Sequence, residues 1–128
     1  MISYKNTIPT PDELYHFYLL MEWEPCLGRT PEELHQAIVG SWRILTVWDD
    51  DRLIAMGRVV SDGAISAYIC GLGVLAEYRG NGIGRKVFQM LFEETKKHKL
   101  ILQFFAEESN VAYYNRLGFQ VFAFGMKE

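Results

Sequence analysis

Two short segments of the chain repeat one arrangement of polar and apolar positions: Thr10-Pro11-Asp12-Glu13-Leu14 and Thr30-Pro31-Glu32-Glu33-Leu34. Each has the layout of a helix start. The threonine oxygen can accept from a first-turn amide, proline fits the first helical position, and the glutamate three residues on closes a capping box. The likeness fades within a few residues, so these are two helix starts and not an internal repeat. The first helix is predicted from Pro11 to about Glu22, with Leu14, Tyr15, Tyr18, Leu19 and Met21 available for burial. The second runs from Pro31 to about Gly40 and presents Leu34, Ala37 and Ile38. Between them lies an aromatic, acidic loop, Glu22-Trp23-Glu24-Pro25-Cys26-Leu27-Gly28-Arg29.

The period then changes. Arg43 to Trp48 (RILTVW) is β-branched and apolar, and Asp49-Asp50-Asp51 ends it as a turn. Arg52 to Val60 (RLIAMGRVV) is a second strand and Ser61-Asp62-Gly63 the next turn. Ala64 to Leu75 (AISAYICGLGVL) is a third, interrupted by two glycines. Short connections make this an antiparallel meander. A helix follows to about Lys97, with Ile83, Val87, Met90 and Leu91 on one side and Lys96, Lys97, His98 and Lys99 at the negative end of its dipole. The near-continuous apolar run Leu100 to Ala106 predicts a buried strand in parallel pairing. Asn110 to Leu117 is a short helix stopped by Gly118, and Phe119 to Met126 a closing strand. The expected order is strand, two helices, three strands, helix, strand, helix, strand: a mixed α/β chain.

Composition narrows the class. With 128 residues, 49% hydrophobic and 23% charged, the chain can form one core without disulfides, and residues 1–128 read as a single domain. No apolar run reaches membrane-spanning length, and the N-terminal MISYKNTIPTPDEL holds no stretch of signal-peptide length. The expected setting is cytoplasmic, with no membrane partner. A net charge of −3 argues against nucleic acid as partner. Cys26 and Cys70 have no metal-ligand spacing and read as free thiols, Cys70 buried. His16, His35 and His98 lie on separate helices without metal spacing, so no metal is expected.

The most informative stretch is Glu77-Tyr78-Arg79-Gly80-Asn81-Gly82-Ile83-Gly84, which feeds a helix N-terminus. Alternating glycines permit positive φ and a close approach of the backbone to a ligand. Unpaired amides with the helix dipole behind them suit an anion, phosphate above all. Arg79, Arg85 and Lys86 surround this terminus, where each positive side chain is unfavourable by about 0.3–1 kcal/mol unless an anion is bound. A solvated, tightly packed turn is the other reading of the same glycines. No segment fits the Walker A pattern. Gly71-Leu72-Gly73-Val74-Leu75-Ala76 matches a dinucleotide fingerprint in letters but leads into a loop, not a helix.

Val74 to Gly84, with Arg79-Gly80-Asn81-Gly82-Ile83-Gly84 as R/Q-x-x-G-x-G/A, resembles the acetyl-coenzyme A signature of the GNAT N-acetyltransferase superfamily. Asn110 with Tyr114-Asn115-Arg116-Leu117-Gly118-Phe119 resembles that family's second landmark, and Arg58-Val59-Val60-Ser61-Asp62-Gly63 the turn before its fourth strand in some members. The resemblance covers essentially the whole chain. It implies a mixed α/β (α+β) fold with a central mixed sheet of six or seven strands and about four helices. It also implies an acetyl-coenzyme A-dependent N-acetyltransferase acting on a small-molecule or protein amine.

By the same resemblance the pyrophosphate would lie on the amides of Arg79, Gly80, Asn81, Gly82, Ile83 and Gly84, and the pantetheine arm along Leu72, Gly73 and Val74. An amide of this strand, such as that of Val74, would stabilise charge on the thioester oxygen. Gly71 and Gly73 fit either a close backbone approach or a simple sheet bend. Tyr114 would protonate the leaving thiolate, unless it is core packing; Tyr113 reads as structural, and Asn110 as a coenzyme contact, a helix cap or both. The base is open. Gly71 stands where many relatives place aspartate, and Glu107, Glu108, Glu22 and Glu24 are the candidates. Glu22, Glu24 and Asp49–Asp51 hint at a cationic acceptor. That departure keeps a second class in play, a non-catalytic acyl-coenzyme A-binding sensor or interaction module. Nine residues follow Phe119, short for the family, so the acceptor side is expected to be open or completed by a second subunit, in a monomer or a homodimer.

Overall fold

In the computed structural model, which describes residues 1–23 and 28–128, the elements follow the order β1 (Ile2–Lys5), α1 (Pro11–Leu20), α2 (Pro31–Val39), β2 (Arg43–Asp49), β3 (Arg52–Ser61), β4 (Ser66–Val74), α3 (Ile83–Lys97), β5 (Ile101–Gln103) and α4 (Val111–Arg116). Glu24 and Cys26 lie outside the described residues. Both capping boxes form: the Thr10 and Thr30 hydroxyls accept from the Glu13 and Glu33 amides at 3.1 Å, and each glutamate accepts in return at 2.9 Å. Along α1 the buried set is Leu14, Phe17 and Tyr18, whereas Leu19 is exposed. Along α2, Leu34 and Ile38 are buried and Ala37 is exposed.

The strands form one mixed sheet in the order β1-β2-β3-β4-β5, antiparallel except for the parallel pair β4–β5. Helix α3 packs on β3 and β4 through Ile83, Val87, Phe88 and Leu91, while Met90 stays exposed. Helix α1 lies on the opposite face. The buried centre of the sheet is Val47, Ile54, Ala55, Met56 and Val59. Thr46, fully buried among them, is satisfied by donating to the Thr7 carbonyl and accepting from Trp48 Nε1.

Two expectations are corrected. Among the described residues the sheet has five strands and not six or seven, because residues 119–126 form no strand. The run 100–106 contributes three paired residues, and only Leu100 in it is buried; Ile101 and Phe105 are exposed. The cause is common to both. β5 pairs with β4 on one edge alone, so its outward side chains and the segment 119–126 find no partner strand to bury them.

Candidate active site

Three features of β4 open a gap in the sheet. First, β5 pairs only with Ser66, Ala67 and Tyr68, so β4 runs on for six residues with that edge uncovered. Second, Met56 faces Gly73 and Arg58 faces Cys70, which leaves Gly71 and Leu72 opposite Gly57: a β-bulge. Gly71 takes φ +60°, a conformation glycine adopts without strain. Third, the Leu75 amide donates to Ile54 O on β3, so strand alternation turns the backbone groups of Val74 and Leu72 toward the uncovered edge. The result is a cavity of about 410 Å³ lined by Cys70, Gly71, Leu72, Glu107, Asn110 and Tyr114, with aromatic rings between them.

The chain next turns through Ala76–Tyr78 into the glycine loop. Gly80 and Gly82 have φ of +83° and +77°, and a side-chain carbon on either would meet no atom within 4 Å. The loop is braced from behind: Arg79 Nε donates to the Val74 carbonyl at 2.9 Å and Asn81 Nδ2 to the Tyr78 carbonyl at 3.1 Å. Gly82 caps α3 in the left-handed conformation with no side-chain acceptor, and no acidic residue occupies the first turn. The amides of Ile83, Gly84 and Arg85 are therefore without the partner that Thr10 and Thr30 give α1 and α2. At Gly84 a side-chain carbon would make ordinary contact with Val74, 3.5 Å away. Of the predicted basic ring, Lys86 sits over the Tyr4 ring at 4.2 Å and Arg85 over Tyr113 at 5.3 Å.

Tyr114 is half-buried in a nest of aromatic rings, 4.7 Å from Phe104 and 5.3 Å from Phe88 by centroids. It reaches this position because α4 ends in a Schellman turn. The Phe119 amide bonds to the Tyr114 carbonyl and the Gly118 amide to that of Asn115, with Gly118 at φ +96°. Burial pushes the Tyr114 phenol above its ordinary pKa, so it stays protonated at neutral pH. Asn110 does not cap α4, since its side chain makes no cap hydrogen bond; it is left on the cavity wall. Among the described residues the carboxylate on that wall is Glu107. Glu22 is exposed at the end of α1, and Glu108 is exposed on the turn before α4.

Asp49 is engaged elsewhere: its Oδ2 accepts from the Tyr78 phenol at 2.6 Å. Among the described residues no three His, Cys, Asp or Glu side chains come together as a metal site would need, and no helix is long and apolar enough to cross a membrane.

Two residues at the site carried no local signal. Trp23 lies over Gly73, where a Cβ would stand 2.5 Å from its ring and 2.7 Å from Met21 Cε. The glycine there makes room for an indole. Arg58, on the same face, lies beneath Gly71. Gly73 was the clue to the first, in that a strand glycine signals close packing from some direction.

Residues 9–119 match the model of the acetyltransferase (GNAT) family. The chain is 32% identical over 79 residues to GCN5-related N-acetyltransferase 2, chloroplastic, of Arabidopsis thaliana, a stretch that covers 61% of this chain and 31% of that protein. The match thus spans about a third of the length of that curated relative. Among solved structures, a GNAT-family acetyltransferase of Streptococcus pneumoniae is 28% identical, with a TM-score of 0.76 over 100% of this chain and 97% of that one. A probable acetyltransferase of Staphylococcus aureus superposes with a TM-score of 0.84 at 24% identity, covering 100% and 98%. With the family model matching from α1 through the end of α4, this chain belongs to the GNAT acetyltransferase family.

Proposed function

We propose that the protein moves the acetyl group of acetyl-coenzyme A to a primary amine by direct attack. The observation that carries this reading is the unpartnered N-terminus of α3. Alone among the three longer helices it lacks a side-chain cap and an acidic first turn, and it opens onto space that Gly80 and Gly82 leave clear. A pyrophosphate supplies what that terminus lacks, accepting from the amides between Gly80 and Gly84. The pantetheine arm then lies along the uncovered edge of β4, pairing with Leu72 and Val74 as an added strand would, while Asn110 contacts the coenzyme from the far wall.

The amine nitrogen attacks the thioester carbon. Negative charge builds on the carbonyl oxygen, where the Val74 amide meets it. The C–S bond breaks, the amide bond forms, and the thiolate takes a proton from Tyr114. The attacking nitrogen loses its proton to a base, for which Glu107 is the candidate carboxylate on the cavity wall. The rings around Tyr114 give the thioester an apolar wall on that side.

The test is release of free thiol from acetyl-coenzyme A in the presence of a panel of primary amines, with the N-acetyl product identified by mass. Amine-dependent release with stoichiometric product is expected. Tight coenzyme binding with no transfer to any amine would overturn the enzymatic reading and leave a coenzyme A-binding module.

A further inference from the structure

One cation on the α1 face is accounted for neither by the fold nor by the coenzyme. Arg58 leaves β3 directly opposite Cys70. Its Nη1 donates to Ser41 Oγ at 3.2 Å, its Nε is buried with no hydrogen-bond partner, and among the described residues it makes no ion pair. A buried guanidinium N–H without an acceptor is costly, and such groups are usually paired or in use.

Among the described residues the surroundings supply no counter-charge. Burial raises the Tyr18 phenol, although the Arg58 guanidinium, close enough to act on it by charge and by hydrogen bonding, pulls it back, and burial raises the Cys70 thiol against the same opposing charge. Both are neutral at pH 7, so the cluster of Tyr18, Ser41, Arg58 and Cys70 carries one unbalanced positive charge. Above the guanidinium stands Gly71. A Cβ on it would lie 3.3 Å from Arg58 Nε, so the Arg58 side chain packs directly on the Gly71 backbone and β4 brings no side chain of its own against the cation there. Cys70 and Gly71 also line the gap in which the thioester is proposed to lie. An anion pairing with Arg58 would thus stand beside the reacting centre, on the face opposite α3.

We propose that Arg58 selects the acceptor: the amine that this protein acetylates also carries an oxyanion, a carboxylate or a phosphate, which pairs with the Arg58 guanidinium beside Gly71. This rests on the acetyl-transfer reading above. A guanidinium presents two parallel N–H donors to a carboxylate or phosphate, which fixes the amine's direction as well as its affinity. It differs from the expectation of a cationic acceptor: of the acidic residues behind that expectation, Glu22, Asp50 and Asp51 are exposed, Asp49 accepts from Tyr78, and Glu24 lies outside the described residues.

The test compares matched acceptors with acetyl-coenzyme A: β-alanine against β-alaninamide, and 2-aminoethylphosphonate against ethylamine, with kcat/KM corrected for the free-amine fraction. The wild type should prefer at least one anionic member by roughly tenfold or more, the worth of a charge-assisted hydrogen bond. The pair showing the larger preference distinguishes carboxylate from phosphate. Arg58→Gln should bring the ratio near one with coenzyme affinity unchanged, and Arg58→Lys should keep part of it. Gly71→Asp, a residue type that tolerates positive φ, should supply an internal carboxylate and also erase the preference while retaining the guanidinium. It decides the matter if Arg58→Gln fails to fold. Equal rates in the wild type, or a preference surviving both variants, would overturn the proposal. If no amine is acetylated, the acetyl-transfer reading fails by itself. Calorimetric binding of N-acetyl-β-alanine against N-acetyl-β-alaninamide, to wild type and Gly71→Asp with coenzyme A present, then judges Arg58 separately.

Discussion

Gly82→Ala separates the two jobs assigned to the glycine loop. At φ +77° an alanine is strained by roughly 1–2 kcal/mol, and since nothing lies within 4 Å of the new carbon no clash adds to this. Spread over 128 residues, the usual unfolding entropy of about 2.1 cal/mol/K per residue converts that cost into a Tm lower by roughly 4–7 °C. The same methyl enters the space assigned to the pyrophosphate. Loss of one charge-assisted backbone hydrogen bond should weaken coenzyme A binding by about 10- to 150-fold. Gly63→Ala is the control: it has the same φ of +77°, ordinary contact with Trp42, and a place in the β3–β4 turn. Calorimetric titration of coenzyme A at a temperature where both variants are folded reads the binding, and a thermal scan reads the strain. The expected pattern is a similar fall in Tm for both and weakened binding for Gly82→Ala alone. Wild-type affinity in Gly82→Ala would refute the cradle. Equal weakening in both variants would show that strain, not the lost contact, is being measured.

Tyr114→Phe should lower kcat by roughly hundredfold or more while leaving coenzyme affinity within about twofold; an unchanged kcat removes the phenol as proton donor. Phe88 touches the rings of Phe92, Phe104, Tyr114 and Phe119, so Phe88→Ala should cost about 3–5 kcal/mol in a denaturation experiment and misplace Tyr114 as well; a loss below about 1 kcal/mol would show that the cluster does not hold the site. Asp62 Oδ1 accepts from the amides of Ala64, Ile65 and Ser66, and these bonds hold its carboxyl below the usual aspartate range. Its stabilising contribution is present above the ordinary pKa of about 3.9 and is lost as pH falls through the lowered folded value. The Tm gap between wild type and Asp62→Asn should therefore close on acidification below about pH 4, and a gap constant with pH would contradict this.

What the sequence revealed and what it hid follow from the range of the interactions. The caps at Thr10 and Thr30, the left-handed stop at Gly118 and the glycine loop are set within a few residues, and each is visible as a string of letters. The closing strand is the opposite case. Residues 119–126 have the apolar content of a strand, but a strand exists only against a partner, and β5 offers a three-residue edge. Trp23 and Arg58 were hidden for a related reason. Their positions at the site depend on the register of β3 against β4 and on a bulge opposite Gly57, which no local pattern encodes. Gly73 shows how one signal can have a cause the letters do not name: a group that closely approaches the glycine is the Trp23 indole.

In the proposed complex coenzyme A enters through the α3 terminus and lies along the open edge of β4. Titration of isotope-labelled protein with coenzyme A, followed by backbone amide shifts, tests it directly. The largest shifts should fall on Gly80, Gly82, Ile83 and Gly84, followed by Leu72 and Val74, with few at β1 and β2. Shifts that leave Gly80 to Gly84 unmoved and gather elsewhere, such as around the exposed rings of Phe122 and Phe124, would contradict the account.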